Sequence, residues 1–107
     1  MIVALLLAAT ATPPVPRAPY ERLVSADDYP PAARAQGLTG TARVKLDVAP
    51  TGRVAGCTIL ASSGTALLDG ATCRLLAARA RFHPAQDEAG NPAPGAVEVE
   101  LPWSLPH

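Results

Sequence analysis

Cys57 and Cys73 are the side chains of this 107-residue chain whose types and spacing first suggest chemistry. A low, even cysteine count serves either a structural disulfide in an oxidising compartment or part of a metal site. A zinc site normally draws on about four ligands, and the only histidines, His83 and His107, stand apart from the cysteines in sequence. The reading is therefore no metal and no cofactor. A disulfide and a pair of buried free thiols remain as alternatives.

Acid–base or nucleophilic catalysis has little to work with. His83 lies between Phe82 and Pro84, where it reads as a surface or capping histidine. Ser62 and Ser63 have no histidine nearby in sequence and read as loop or cap residues. Asp27-Asp28 and Asp87-Glu88 read as solvated loop charges, with Asp28 also placed to cap a helix. Glycine-rich phosphate loops, metal-ligand spacings and interleaved basic and aromatic residues are missing from the sequence. No catalytic residue is assigned, and the chain reads as a non-enzyme. Nine basic and nine acidic residues give a formal net charge of zero, which supplies no attraction for nucleic acid or an anionic membrane.

The elements that would position these residues follow from composition and period. The length suits one domain with a modest core. Apolar residues make up 49% of the chain but aromatics only 4%, so the core must come mainly from Val, Leu, Ile and Ala. Ile2–Ala9 is continuously apolar and Ala9-Thr10-Ala11 places small residues at a possible cleavage point, so residues 1–11 read as a signal-peptide-like leader. An apolar N-terminal strand or short helix is the alternative. The run is shorter than the roughly 20 residues a membrane span needs. Residues 12–24, with Thr12–Tyr20 reading TPPVPRAPY, are expected to form an extended, disordered Pro-rich linker. Residues 25–107 are the folded domain.

Within it, Asp28 as N-cap and Gly37 as C′ residue frame a helix of two turns or less. Thr41–Val48 alternates strictly, with Ala42, Val44, Leu46 and Val48 on one face, as a half-buried strand does. Ala49-Pro50-Thr51-Gly52 suits a type I turn, leading into a strand over Arg53–Ala61. Val54 can share the inward face with Cys57 and Ile59 only if the phase slips, and Gly56 is the expected bulge; otherwise Val54 faces out. Ala66–Arg81 reads as a helix with Leu68, Cys73, Leu75, Leu76 and Ala80 on one stripe, capped by Thr65 or Ser63 and stopped before Pro84. Gln86–Pro94 is a polar loop. Ala96–Leu101 alternates with Val97, Val99 and Leu101 inward, and Pro102 interrupts it. The sum is an α+β fold in the order α-β-β-α-β, a three-stranded antiparallel sheet with two helices on one face.

This arrangement points Cys57 inward from a strand and puts Cys73 on the facing helix stripe, which favours the disulfide over free thiols. Closing a loop of about 15 residues contributes on the order of 3 kcal/mol in the chain-entropy account. Trp103, just past the last strand, reads as a plug over the sheet end in preference to a binding hot spot.

The ordered set Tyr29-Pro30, Ala33-Arg34, Gly37-Leu38-Thr39-Gly40-Thr41, Leu46-Asp47-Val48, Gly52-Arg53-Val54, Ser62-Ser63-Gly64, Leu67-Leu68-Asp69 and Arg79–Ala85 resembles the TonB C-terminal domain family. The resemblance spans roughly Ser25 to Leu105. It implies a periplasmic module that binds the TonB box of an outer-membrane transporter by strand addition, for energy-coupled transport. A TonB- or TolA-like structural or interaction protein of the envelope, without energy transduction, is the alternative. The accepting strand resembles Val97, Glu98, Val99, Glu100 and Leu101, and the segment before the first helix resembles Asp28, Tyr29 and Pro30. A weak homodimer through a sheet edge, and attachment to the inner membrane should the N-terminus extend further, are additional expectations.

Overall fold

The alternation from Thr41 to Val48 becomes the central strand of a three-stranded antiparallel sheet. The computed structural model describes residues 11–105; the leader reading over Ile2–Ala9 and the reading of His107 lie outside the described residues. In chain order the strands are β1 (Val15–Pro16), β2 (Gly40–Val48), β3 (Val54–Ala61), β4 (Phe82–His83), β5 (Ala85–Gln86), β6 (Pro92–Ala93) and β7 (Gly95–Trp103). The α-helices are α1 (Pro31–Ala35) and α2 (Ala66–Arg79), with 3₁₀ turns at Tyr20–Arg22 and Ala26–Asp28. The main sheet has the order β3-β2-β7, and its strands with the two helices follow the α-β-β-α-β sequence.

The β2–β3 turn closes as the residue types require. Gly52 N–H donates to the Ala49 carbonyl at 2.8 Å. Gly52 takes φ 87°, and a Cβ there would stand 2.2 Å from the Phe82 carbonyl oxygen, so both conformation and space demand glycine. The register then slips: Val48 faces Val54 while Asp47 faces Gly56, leaving Ala55 as the extra residue. The bulge lets Val54 and Cys57 pack against the same cluster. A second slip, at Leu60, is not signalled by the alternation. Ile59, read as inward, is 37% exposed, because β3 is an edge strand with nothing paired to its far side among the described residues.

Three other boundaries differ from the sequence reading. Asp28 does not cap α1; the N-cap is Pro30, and Asp28 instead closes the preceding 3₁₀ turn by accepting from Ser25 N–H at 2.9 Å. Pro residues at the helix start lack an N–H that would otherwise need a cap. The helix α2 stops at Arg79 rather than Arg81. Ala80 is extended and Phe82 N–H donates to the Gly52 carbonyl at 2.9 Å, so tertiary pairing takes over the last turn. Pro102 does not interrupt β7, which runs on to Trp103 with Pro102 opposite Thr41.

The helices cover one face of the sheet in two adjoining clusters. Tyr29, Ala33, Leu68, Ala71, Leu75, Leu101 and Trp103 form one; Val44, Leu46, Val48, Leu76, Ala80, Phe82 and Val99 form the other. Because α2 feeds both, its buried stripe is continuous with the whole inward face. The Pro-rich segment lies along this body. Val15 and Pro16 pair with His83 and Phe82, Thr12 exchanges backbone hydrogen bonds with Gln86 at 3.0 and 3.1 Å, and Tyr20 and Leu23 pack on the second cluster.

Candidate functional site

The free edge of β7 is built by its pairing with β2. Along the ladder Leu46 faces Val97, Val44 faces Val99 and Ala42 faces Leu101. Backbone polar groups in a strand alternate between its two sides, and a proline within a paired strand must turn its nitrogen outward. Pro102 therefore fixes the phase: the N–H and C=O groups of Ala96, Glu98 and Glu100 point away from β2. No strand is paired to that side among the described residues. The result is a row of alternate donors and acceptors, shortened by one donor at Pro102, suited to receive an extended chain.

Side chains give the two faces of this edge different chemistry. Val99 and Leu101 are buried and Val97 is half-buried against the second cluster. On the solvent face, the Arg43 guanidinium donates to Glu98 Oε1, with both side chains about half exposed. Lys45 Nζ lies 3.8 Å from Asp47 Oδ1. Glu100 faces Arg43 in register, yet that guanidinium is turned to Glu98.

Of Asp28, Tyr29 and Pro30, Tyr29 lies beside the C-terminal end of β7, against Trp103. Tyr29 is buried and stacks edge-on to Trp103, ring centroids 5.2 Å apart. Its hydroxyl donates to the Leu38 carbonyl. Asp28 is held by Arg79, whose Nη1 and Nη2 donate at 2.7 and 2.8 Å. That forked bond, then the Ser25 N–H, holds the Asp28 carboxyl well below the usual carboxylate range. A shallow groove lined by Val24, Ser25, Ala26, Tyr29, Pro102 and Trp103 joins this segment to the end of β7.

The cysteines are bridged: Cys57 and Cys73 have Cα atoms 5.7 Å apart and join β3 to α2 across 16 residues of sequence. Thr65 caps α2 by accepting from Leu67 N–H, while the Ser62 and Ser63 hydroxyls and the Ser63 N–H donate to Asp69. Burial would raise the Asp69 pKa, but these bonds outweigh it and lower it. His83 is exposed on β4.

Sequence reasoning missed three partners. Thr72 is fully buried inside α2, and Arg79 and Arg43 find carboxylates across the fold. A polar residue on the apolar stripe of α2 was the available signal for Thr72. Neither arginine carries a local one.

The family described as Gram-negative bacterial TonB protein C-terminal matches residues 25–105. No curated protein matches the chain.

Proposed function

The chain belongs to the TonB C-terminal family, and from that premise we propose that it is a periplasmic module that takes the TonB box of an outer-membrane transporter as an added strand on β7, in energy-coupled transport. Members of this family are non-enzymatic interaction domains that engage outer-membrane transporters in the Gram-negative envelope. The observation that carries the reading is the unpaired outward row of Ala96, Glu98 and Glu100. Main-chain bonding gives an extended peptide affinity with little demand on its side chains. Val97, Val99 and Leu101 would hold its apolar side, and the Asp28-Tyr29-Pro30 segment would border its end through the groove at Trp103.

Titration of the labelled domain with N-terminal peptides of transporters tests this. The amides of Ala96, Glu98 and Glu100 should shift together and gain protection from exchange. Shifts confined to another surface would overturn strand addition at β7.

A second reading, an envelope interaction protein without energy transduction, is favoured by the other edge. There Ile59 and Leu60 are 37% and 44% exposed on β3, an apolar edge suited to weak self-association. Sedimentation over a concentration series, with Leu60→Lys as the variant that abolishes any dimer, separates the two.

A further inference from the structure

We propose that the β7 edge selects extended peptides in which basic side chains alternate with apolar ones, with Glu100 as the residue that sets the charge preference. This rests on the strand-addition reading above and names the class of peptide that reading would favour.

An added strand has one face on the core side and one in solvent, because its side chains alternate. Glu98 and Glu100 direct their backbone groups to the free edge. Residues of an antiparallel newcomer that face them would form the hydrogen-bonded pairs, and would share their solvent face. The intervening residues would flank Val97, Val99 and Leu101, whose burial calls for apolar partners. Alternation in the newcomer is thus imposed by the edge.

The sign of the outer residues follows from the charges on that face. The face of β2 and β7 carries Arg43, Lys45, Asp47, Glu98 and Glu100. Arg43 is bonded to Glu98, and Lys45 lies beside Asp47. Glu100 makes no ion pair among the described residues. Two basic and three acidic residues leave this face one negative charge in excess, and Glu100, across from Arg43 but outside its ion pair, is the carboxylate without a contact. Opposite charges directly across a ladder stabilise and like charges destabilise, so Lys or Arg opposite Glu100 is favoured and Glu or Asp is penalised.

Three synthetic peptides alternating Val with Lys, Val with Thr, and Val with Glu test the proposal, titrated into the labelled full chain at low and high salt. The Lys peptide should bind about threefold tighter than the Thr peptide, and the Glu peptide about threefold weaker. The spread should shrink with salt, as exposed charges are screened. Glu100→Lys should reverse the order. Glu88→Lys, the same charge change in the loop between β5 and β6, should leave it intact. Equal affinities with shifts at Ala96, Glu98 and Glu100 would overturn charge selection and leave strand addition standing. An order altered equally by both variants would also overturn it, as bulk charge alone. Absence of shifts at those three amides with every peptide would overturn the strand-addition reading and this inference with it.

Discussion

Trp103 Nε1 donates a 2.8 Å hydrogen bond to Thr72 Oγ1, tying the end of β7 to the middle of α2 inside the core. The same hydroxyl donates to the Leu68 carbonyl at 2.8 Å. One hydroxyl thus serves as acceptor and donor, and leaves neither the indole nor itself unsatisfied in a buried site. The strand offering the free edge is anchored at its far end by this bond and by the packing of Trp103 on Tyr29.

Thr72→Val keeps the shape and removes the acceptor. The Trp103 N–H is then buried without a partner, and stability should fall by about 1–3 kcal/mol. Thr72→Ser should recover much of the loss. Urea denaturation followed by Trp103 fluorescence measures both. A Thr72→Val protein as stable as wild type would show that the bond contributes nothing net.

The Cys57–Cys73 bridge should survive purification from an oxidising compartment. Intact mass under non-reducing conditions should be lighter by one hydrogen pair than after reduction. The paired change Cys57→Ser with Cys73→Ser should cost on the order of 3 kcal/mol, the loop-closure contribution for a link of this length. Recovery of two free thiols from the exported protein would contradict the bridge.

Asp28 makes stability depend on acid pH. Its folded pKa is depressed by the Arg79 fork and then by Ser25, so the unfolded chain takes up that proton first. The stabilisation is complete above the ordinary carboxylate range, near about pH 4. It is lost progressively as pH falls from there toward the depressed folded value. Asp28→Asn should lower stability at neutral pH and flatten the acid limb of the urea midpoint plotted against pH. A limb as steep as that of wild type would assign the acid sensitivity to other carboxylates, Asp69 first among them.

Residues 11–24 should behave as part of the folded body. Removing everything before Ser25 exposes the ground under Tyr20, Leu23 and Val24 and deprives Gln86 N–H of the Thr12 carbonyl. Amide exchange at Gln86 should quicken and the urea midpoint should drop. Unchanged exchange at Gln86 would mean the segment is a free tether.

Much of the scaffold was legible in residue order because its signals are local. Strict alternation over Thr41–Val48 encodes a half-buried strand, Pro50 and Gly52 encode their turn, and Thr65 encodes a cap; each depends on neighbours a few residues away. The family was legible too, since its residues recur in order and spacing. The edge strand Val97–Leu101 was legible as a strand, but its availability depends on what lies beside it.

By itself, then, the sequence determined the alternation of β2, the Ala49–Gly52 turn and the Thr65 cap, and it favoured pairing Cys57 with Cys73. Tertiary structure alone decided that Asp28 serves Arg79 instead of α1, that Thr72 serves Trp103, and that Pro102 continues β7 while aiming Glu98 and Glu100 at a free edge. For the first two the physical reason is the same. A polar group is satisfied by whichever partner folding brings within hydrogen-bond reach, and partners 31 and 51 residues away leave no mark in a local pattern.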